Sequence, residues 1–101
     1  MEFIEIRRTV LLSIQKALLG MIHSEIRAIA VGFESRQKLI VVYYLDREPN
    51  EDDYENISDV TAEVLGDIDF SEVEEKCIFS KDALLKLDNL DSWVYKRKED
   101  Y

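Results

Sequence analysis

The chain predicts an α+β fold: a two-layer sandwich with a mainly antiparallel four-stranded sheet carrying two helices on one face, in the order α-β-β-α-β-β. Three observations lead there. Two stretches place apolar residues at intervals of three and four, four shorter stretches are rich in β-branched and aromatic residues, and polar turns separate them.

From Arg8 to Ile22 the residues Val10, Leu11, Ile14, Ala17, Leu18, Met21 and Ile22 follow the period of a half-buried helix. Glu25–Glu34 and Lys38–Asp46 then read as a β-hairpin around the polar break at 34–37. Within its first strand Ile26, Ala28, Ala30 and Gly32 share one face, and Arg27, Ile29, Val31 and Phe33 the other, because successive side chains alternate. The face of small residues suits a close helix approach. Pro49-Asn50 opens the second helix, with Asn50 as N-cap and Glu51, Asp52 and Asp53 in the first turn, where carboxylates complement the positive helix end. Ile57, Val60, Val64 and Leu65 form its buried stripe, and Gly66 lies near its end. Glu72–Phe79 and Ser92–Arg97 are the remaining strands, separated by a short turn-like helix around 83–87. The second face of the sheet would carry Val31, Phe33 and Tyr43 or Tyr44, covered by the C-terminal segment through Trp93 and Tyr95 or left free as a contact surface.

Length and composition set limits. The 101 residues are 47% hydrophobic and 35% charged, enough apolar material for one domain over 1–101 and too much for a disordered chain. The single cysteine, Cys77, forms no internal disulfide, which excludes a stapled secreted domain and points to a reducing cytoplasm. Glu2 and Glu5 among Phe3, Ile4 and Ile6 argue against an export signal. The longest apolar runs, such as Leu39–Leu45, are far shorter than the roughly 18–20 residues that span a bilayer, so no membrane partner is expected.

The charge pattern is the most informative feature. The chain has 13 Lys and Arg against 22 Asp and Glu, a formal net charge of −9. Residues 1–50 hold six acids and seven bases, so the imbalance arises entirely in the second half. Between Arg47 and Lys76 there is no basic residue, whereas Glu48, Glu51, Asp52, Asp53, Glu55, Asp59, Glu63, Asp67, Asp69, Glu72, Glu74 and Glu75 crowd this interval. Glu51, Glu55, Asp59 and Glu63 are four apart and stack along one helical ridge, where each like-charge pair costs about 0.2–0.5 kcal/mol. Stability does not favour that arrangement; a solvated face or a field that steers a basic partner explains it. The candidate partner-binding set is Asp46, Glu48, Glu51, Asp52, Asp53, Tyr54, Glu55, Asp59, Glu63 and Asp67. Direct nucleic-acid binding is disfavoured, because phosphates need clustered cations.

No pattern carries catalysis. His23 is the only histidine and sits at the end of the first helix, where it caps or solvates the helix terminus. Cys77, beside Ile78 and Phe79, reads as a small core residue. The three glycines, at 20, 32 and 66, leave no phosphate-cradling loop. Asp46, Glu48, Glu51, Asp52 and Asp53 could attract a hard cation only weakly, since the glycine-containing calcium-loop pattern is absent. No catalytic residue, metal or cofactor is expected. Trp93, Tyr95 and the basic run at 96–98 read as a closing strand followed by a solvated tail through Tyr101.

An amphipathic first helix, then Ile26-Arg27-Ala28-Ile29-Ala30-Val31, Val41-Val42-Tyr43-Tyr44-Leu45-Asp46, an acidic helix with Asp59-Val60-Thr61-Ala62-Glu63-Val64, and a closing Trp93-Val94-Tyr95-Lys96-Arg97 resemble the small acidic immunity proteins of bacterial contact-dependent growth inhibition and related polymorphic toxin systems. The resemblance implies a cytoplasmic, non-enzymatic protein that binds the cognate toxin domain, often a nuclease, and blocks its active site. It supplies no residue set to carry over. The expected function is therefore neutralisation of a basic toxin domain through the second helix and its preceding loop. The alternative is a structural or regulatory homo-oligomer, a homodimer for instance, built on an apolar sheet face.

Overall fold

A computed structural model describes residues 3–34 and 37–99. The elements run α1 (Phe3–Ala17), β1 (Ile26–Glu34), β2 (Lys38–Leu45), α2 (Glu51–Asp67), β3 (Glu72–Phe79), a 3-10 turn at Leu84–Lys86, and β4 (Ser92–Lys96). The polar tail residues 100 and 101 and the hairpin residues 35 and 36 lie outside the described set.

The sheet order is β3-β2-β1-β4. β1 pairs antiparallel with both β2 and β4, but β2 and β3 are parallel over Lys38–Leu45 and Glu72–Phe79. The sheet is therefore mixed, which corrects the mainly antiparallel expectation. The reason is α2: a parallel pair needs a crossover of a dozen or more residues, and a seventeen-residue helix between β2 and β3 supplies it.

α1 begins five residues before the predicted Arg8 and ends at Ala17, short of Ile22. Its buried stripe is Ile6, Val10, Ser13, Ile14 and Ala17. A turn ends it, in which the N–H of Met21 donates to the Leu18 carbonyl and Gly20 adopts φ +79°, a conformation that glycine accepts without cost. α2 begins as its sequence demands: the Asn50 side chain accepts from the Asp53 N–H and the Asp53 carboxylate accepts from the Asn50 N–H, a reciprocal capping box.

Buried side chains of both helices (Ile6, Val10 and Ile14; Ile57, Val60 and Val64) enter one apolar cluster with Ile26, Ile29, Val31, Phe33, Leu39, Val41, Tyr43, Leu45 and Cys77 of the sheet. A register shift between Ile26 and Ala28 interrupts the strict alternation of β1 and lets Ile26 join Ile29 in this cluster. Ala28 and Ala30 instead meet a second cluster with Ile40, Val42, Tyr44 and Leu84, bordered by Leu87, Leu90 and Trp93. The small-residue face thus receives the loop after β3, not a helix. Gly32 makes room for it: a Cβ there would come within 3.4 Å of both Leu90 and Asp91.

Trp93 covers this second face, its ring edge-on to Tyr44 at 5.8 Å, while the Tyr44 hydroxyl donates to the Asp88 carbonyl at 2.8 Å. Tyr95 does not share the task. A register shift at Ile29/Ala30 turns it toward the helix-side cluster. Val31, Phe33 and Tyr43, expected on the second face and available there to a homo-oligomer, instead lie in the helix-side cluster at 2% exposure or less, and the opposite face is covered too, with Ala28, Ala30 and Val42 at 3% or less. No helix among the described residues is long and apolar enough to cross a membrane.

Candidate functional site

α2 has two sides with opposite fates. Asp53, Ile57, Val60, Thr61 and Val64 are buried; Glu51, Asp52, Tyr54, Glu55, Asp59 and Glu63 are exposed. The exposed carboxylates have no hydrogen-bond or ion-pair partner among the described residues, and neither does the exposed Glu48 side chain in the preceding loop. On a helix, positions four apart lie about 6 Å from each other, so Glu51, Glu55, Asp59 and Glu63 form one continuous anionic ridge, with Asp52 seven residues from Asp59 on its flank. Tyr54, 48% exposed, is the one large apolar side chain beside it on α2.

The other three members of the predicted set are held internally. Asp53 is 1% exposed and receives two bonds from the Arg47 guanidinium, at 2.6 and 3.1 Å, in addition to capping α2; Nε2 of His23 stands 3.4 Å from its other oxygen. The Arg47 guanidinium, more than any other group, holds the Asp53 carboxyl below the usual carboxylate range. Asp46 accepts from Arg97 at 2.6 Å. Asp67 accepts from the Ser13 hydroxyl at 2.7 Å and pairs with Lys16 at 3.4 Å, and these contacts, Ser13 first, lower its pKa. α2 has no base in its last turn, so the cation that offsets Asp67 at the negative helix end comes from α1. Asp46, Asp53 and Asp67 therefore stabilise the fold and are not free carboxylates of the ridge.

One cluster has no local signature in the sequence. Arg27, 5% exposed, makes a two-pronged contact with Glu99 at 2.7 and 3.0 Å and donates to the Ser80 carbonyl at 2.8 Å. Glu99 also pairs with Arg97, which reaches Asp46. Arg97 and Glu99, read from the sequence as part of a solvated tail, instead fasten the C-terminal segment to β1. Arg27 holds the Glu99 carboxyl below its usual range.

The groups considered for chemistry are likewise engaged or buried. His23 lies beyond α1, and its Nδ1 is 2.9 Å from Glu25. Burial pushes the Cys77 thiol up to about 12, far from the thiolate that nucleophilic work requires. Burial raises the Tyr43 hydroxyl as well, and it donates to Asn56 at 2.7 Å, whose amide donates in turn to the Met21 carbonyl. No three metal-ligating side chains converge among the described residues. An open groove of about 480 Å³ lined by Arg8, Thr9, Leu12, Ser13, Lys16 and Asp67 lies against α1.

One side of α2 is thus anchored by a buried carboxylate, and the other presents carboxylates without a partner among the described residues. No curated protein matches the chain. The family model of MafI2 immunity proteins matches residues 7–99, from the first turns of α1 to Glu99. The match supports the immunity-protein part of the resemblance and does not specify the contact-dependent inhibition type. Spanning all but a few terminal residues with this match, the chain belongs to the MafI2 immunity protein family.

Proposed function

We propose that this chain binds a cognate toxin domain and neutralises it by occupying a basic surface, using Glu51, Asp52, Tyr54, Glu55, Asp59 and Glu63 of α2 together with Glu48 of the preceding loop. Membership of an immunity-protein family supports the toxin as partner. One observation carries the choice of surface: the ridge carboxylates have no partner among the described residues, although acids before, between and after them are paired. Mutual repulsion along the ridge is a standing cost that a cationic partner removes.

A nuclease fits best as the toxin. Its phosphate-binding groove is necessarily basic, and a row of carboxylates about 6 Å apart can occupy that groove as the nucleic-acid backbone would. The field of the ridge speeds encounter, and a desolvated aromatic such as Tyr54 supplies the central anchor that charge alone does not. Inhibition by occupancy needs no catalytic group, metal or cofactor of the inhibitor's own, and it takes place in the cytoplasm where the toxin would act.

Growth of cells expressing the cognate toxin domain tests the proposal. Co-expression of the wild-type chain restores growth, and Glu55→Lys, Asp59→Lys and Glu63→Lys combined abolish that protection at equal soluble levels. Full protection by the triple variant contradicts the assigned surface, and failure of the wild type to protect contradicts the function.

A further inference from the structure

We infer that the outer edge of β3 takes up an extended basic strand of the toxin domain, lengthening the sheet by one strand; this rests on the toxin-binding reading above and adds the mode of contact. β3 ends the sheet, with β2 on one side only. The Glu72 N–H donates to the Gln37 carbonyl at 2.9 Å and the Ser80 N–H to the Leu45 carbonyl at 3.1 Å, so the backbone of even-numbered residues faces β2. Alternation then turns the N–H and C=O groups of Val73, Glu75, Cys77 and Phe79 outward. None of these outward groups has a hydrogen-bond partner among the described residues.

The opposite edge is closed. β4 spans only five residues, its register slips against β1, and side chains take up carbonyls of β4 and of the residue before it: Gln15 donates to Val94 at 3.2 Å, Ser92 to Trp93 at 3.0 Å, and Arg7 to Asp91 at 3.2 Å. Proteins shorten, cover or charge exposed edges to prevent unwanted pairing. Here one edge is covered and the other, eight residues long, is left open.

Charge selects the occupant. β3 carries Glu72, Glu74 and Glu75 against Lys76, and Glu74 is shared between Lys38 at 3.8 Å and Lys76 at 3.6 Å. A second copy would bring the same excess of acids and a further formal charge of −9. A basic strand is attracted instead. Beside Glu72 it would place Lys or Arg, and beside Ile78, 37% exposed, an apolar residue. The edge is also continuous with the ridge surface: Thr61 of α2 donates to the Glu75 carboxylate, and Tyr54, seven residues before Thr61, projects from the same flank of α2. One partner can therefore meet the helix and the edge together.

Residue-resolved hydrogen exchange by NMR tests this, on the labelled chain alone and saturated with an inactive variant of the unlabelled cognate toxin domain. Alone, the amides of Val73, Glu75 and Cys77 should exchange about tenfold or more faster than those of Glu74, Lys76 and Ile78, and binding should slow them about a hundredfold. Unchanged exchange at these odd-numbered amides in a complex that still neutralises the toxin overturns the edge assignment while leaving toxin binding intact. Absence of any complex removes both. Protection already present in the free chain and lost on dilution assigns the edge to a second copy and overturns the proposal as well. Val73→Pro, which deletes an outward donor and leaves the β2 ladder in place, should weaken binding about tenfold, whereas Val73→Ala should not. Equal binding by both folded variants overturns it; should Val73→Pro fail to fold, exchange in the wild type decides.

Discussion

Asp53 and Glu55 are two residues apart on the same helix and are held in opposite ways. Asp53 is 1% exposed, caps the helix and is gripped by Arg47; Glu55 is exposed and has no partner among the described residues. Composition treats them alike. What separates them is helical phase: Asp53 lies on the side that also holds Ile57, Val60 and Val64, and Glu55 lies on the outward side with Glu51 and Asp59. An acidic block is thus two populations, one paired within the chain and one without partners among the described residues.

The largest effect should come from breaking the internal member. Asp53→Ala removes the carboxylate half of the capping box and leaves Arg47 without its partner. Arg47 is one-third exposed and can rehydrate, which holds the expected loss to about 2–3 kcal/mol, read from urea denaturation. An effect below about 0.5 kcal/mol would erase the distinction between the two populations.

The outward members should barely affect stability. Glu55→Lys, Asp59→Lys and Glu63→Lys together should leave it within about 0.5 kcal/mol of wild type, because the three introduced cations repel one another at the same spacing as the carboxylates they replace. The thermal midpoint, read by circular dichroism, checks this. A large loss would mean that these side chains also stabilise the fold.

Acid sharpens the contrast further. Asp53, Asp67 and Glu99 have pKa values lowered in the folded chain, so between their folded and ordinary values the unfolded state binds more protons. Their stabilisation is complete above the ordinary carboxylate range and is lost as pH falls through it to the lower folded values, beginning at about pH 4–5. Asp53→Asn should flatten that decline in a pH series of urea midpoints.

The smallest effect belongs to Lys16→Ala. Its pair with Asp67 is exposed and screened, so a cost of about 0.5 kcal/mol or less is expected, vanishing in high salt.

These differences follow from how far apart in the chain the partners lie. The Asn50 N-cap and the acids of the first turn were legible because they are local, though not the reciprocal bond from Asp53, and the ridge was legible because a spacing of four implies one helix side. The limits of β3 follow from composition for the same reason. The parallel β2–β3 pair required reading the intervening helix as a crossover, which hairpin logic passes over. Ion pairs joining Asp46 to Arg97 and Arg27 to Glu99 bridge 51 and 72 positions, and no local pattern encodes them. The slipped registers of β1 likewise follow from packing and redirected Ile26 and Tyr95 against strict alternation.

The rate at which the chain associates with its toxin domain, measured by stopped flow across a range of ionic strength, tests the ridge most directly. The wild-type rate should fall steeply with salt, and the Glu55, Asp59 and Glu63 charge reversal should lower the low-salt rate by about tenfold or more and flatten the dependence. Identical rates with identical salt slopes for the two proteins would contradict the assignment of the outward carboxylates to partner capture.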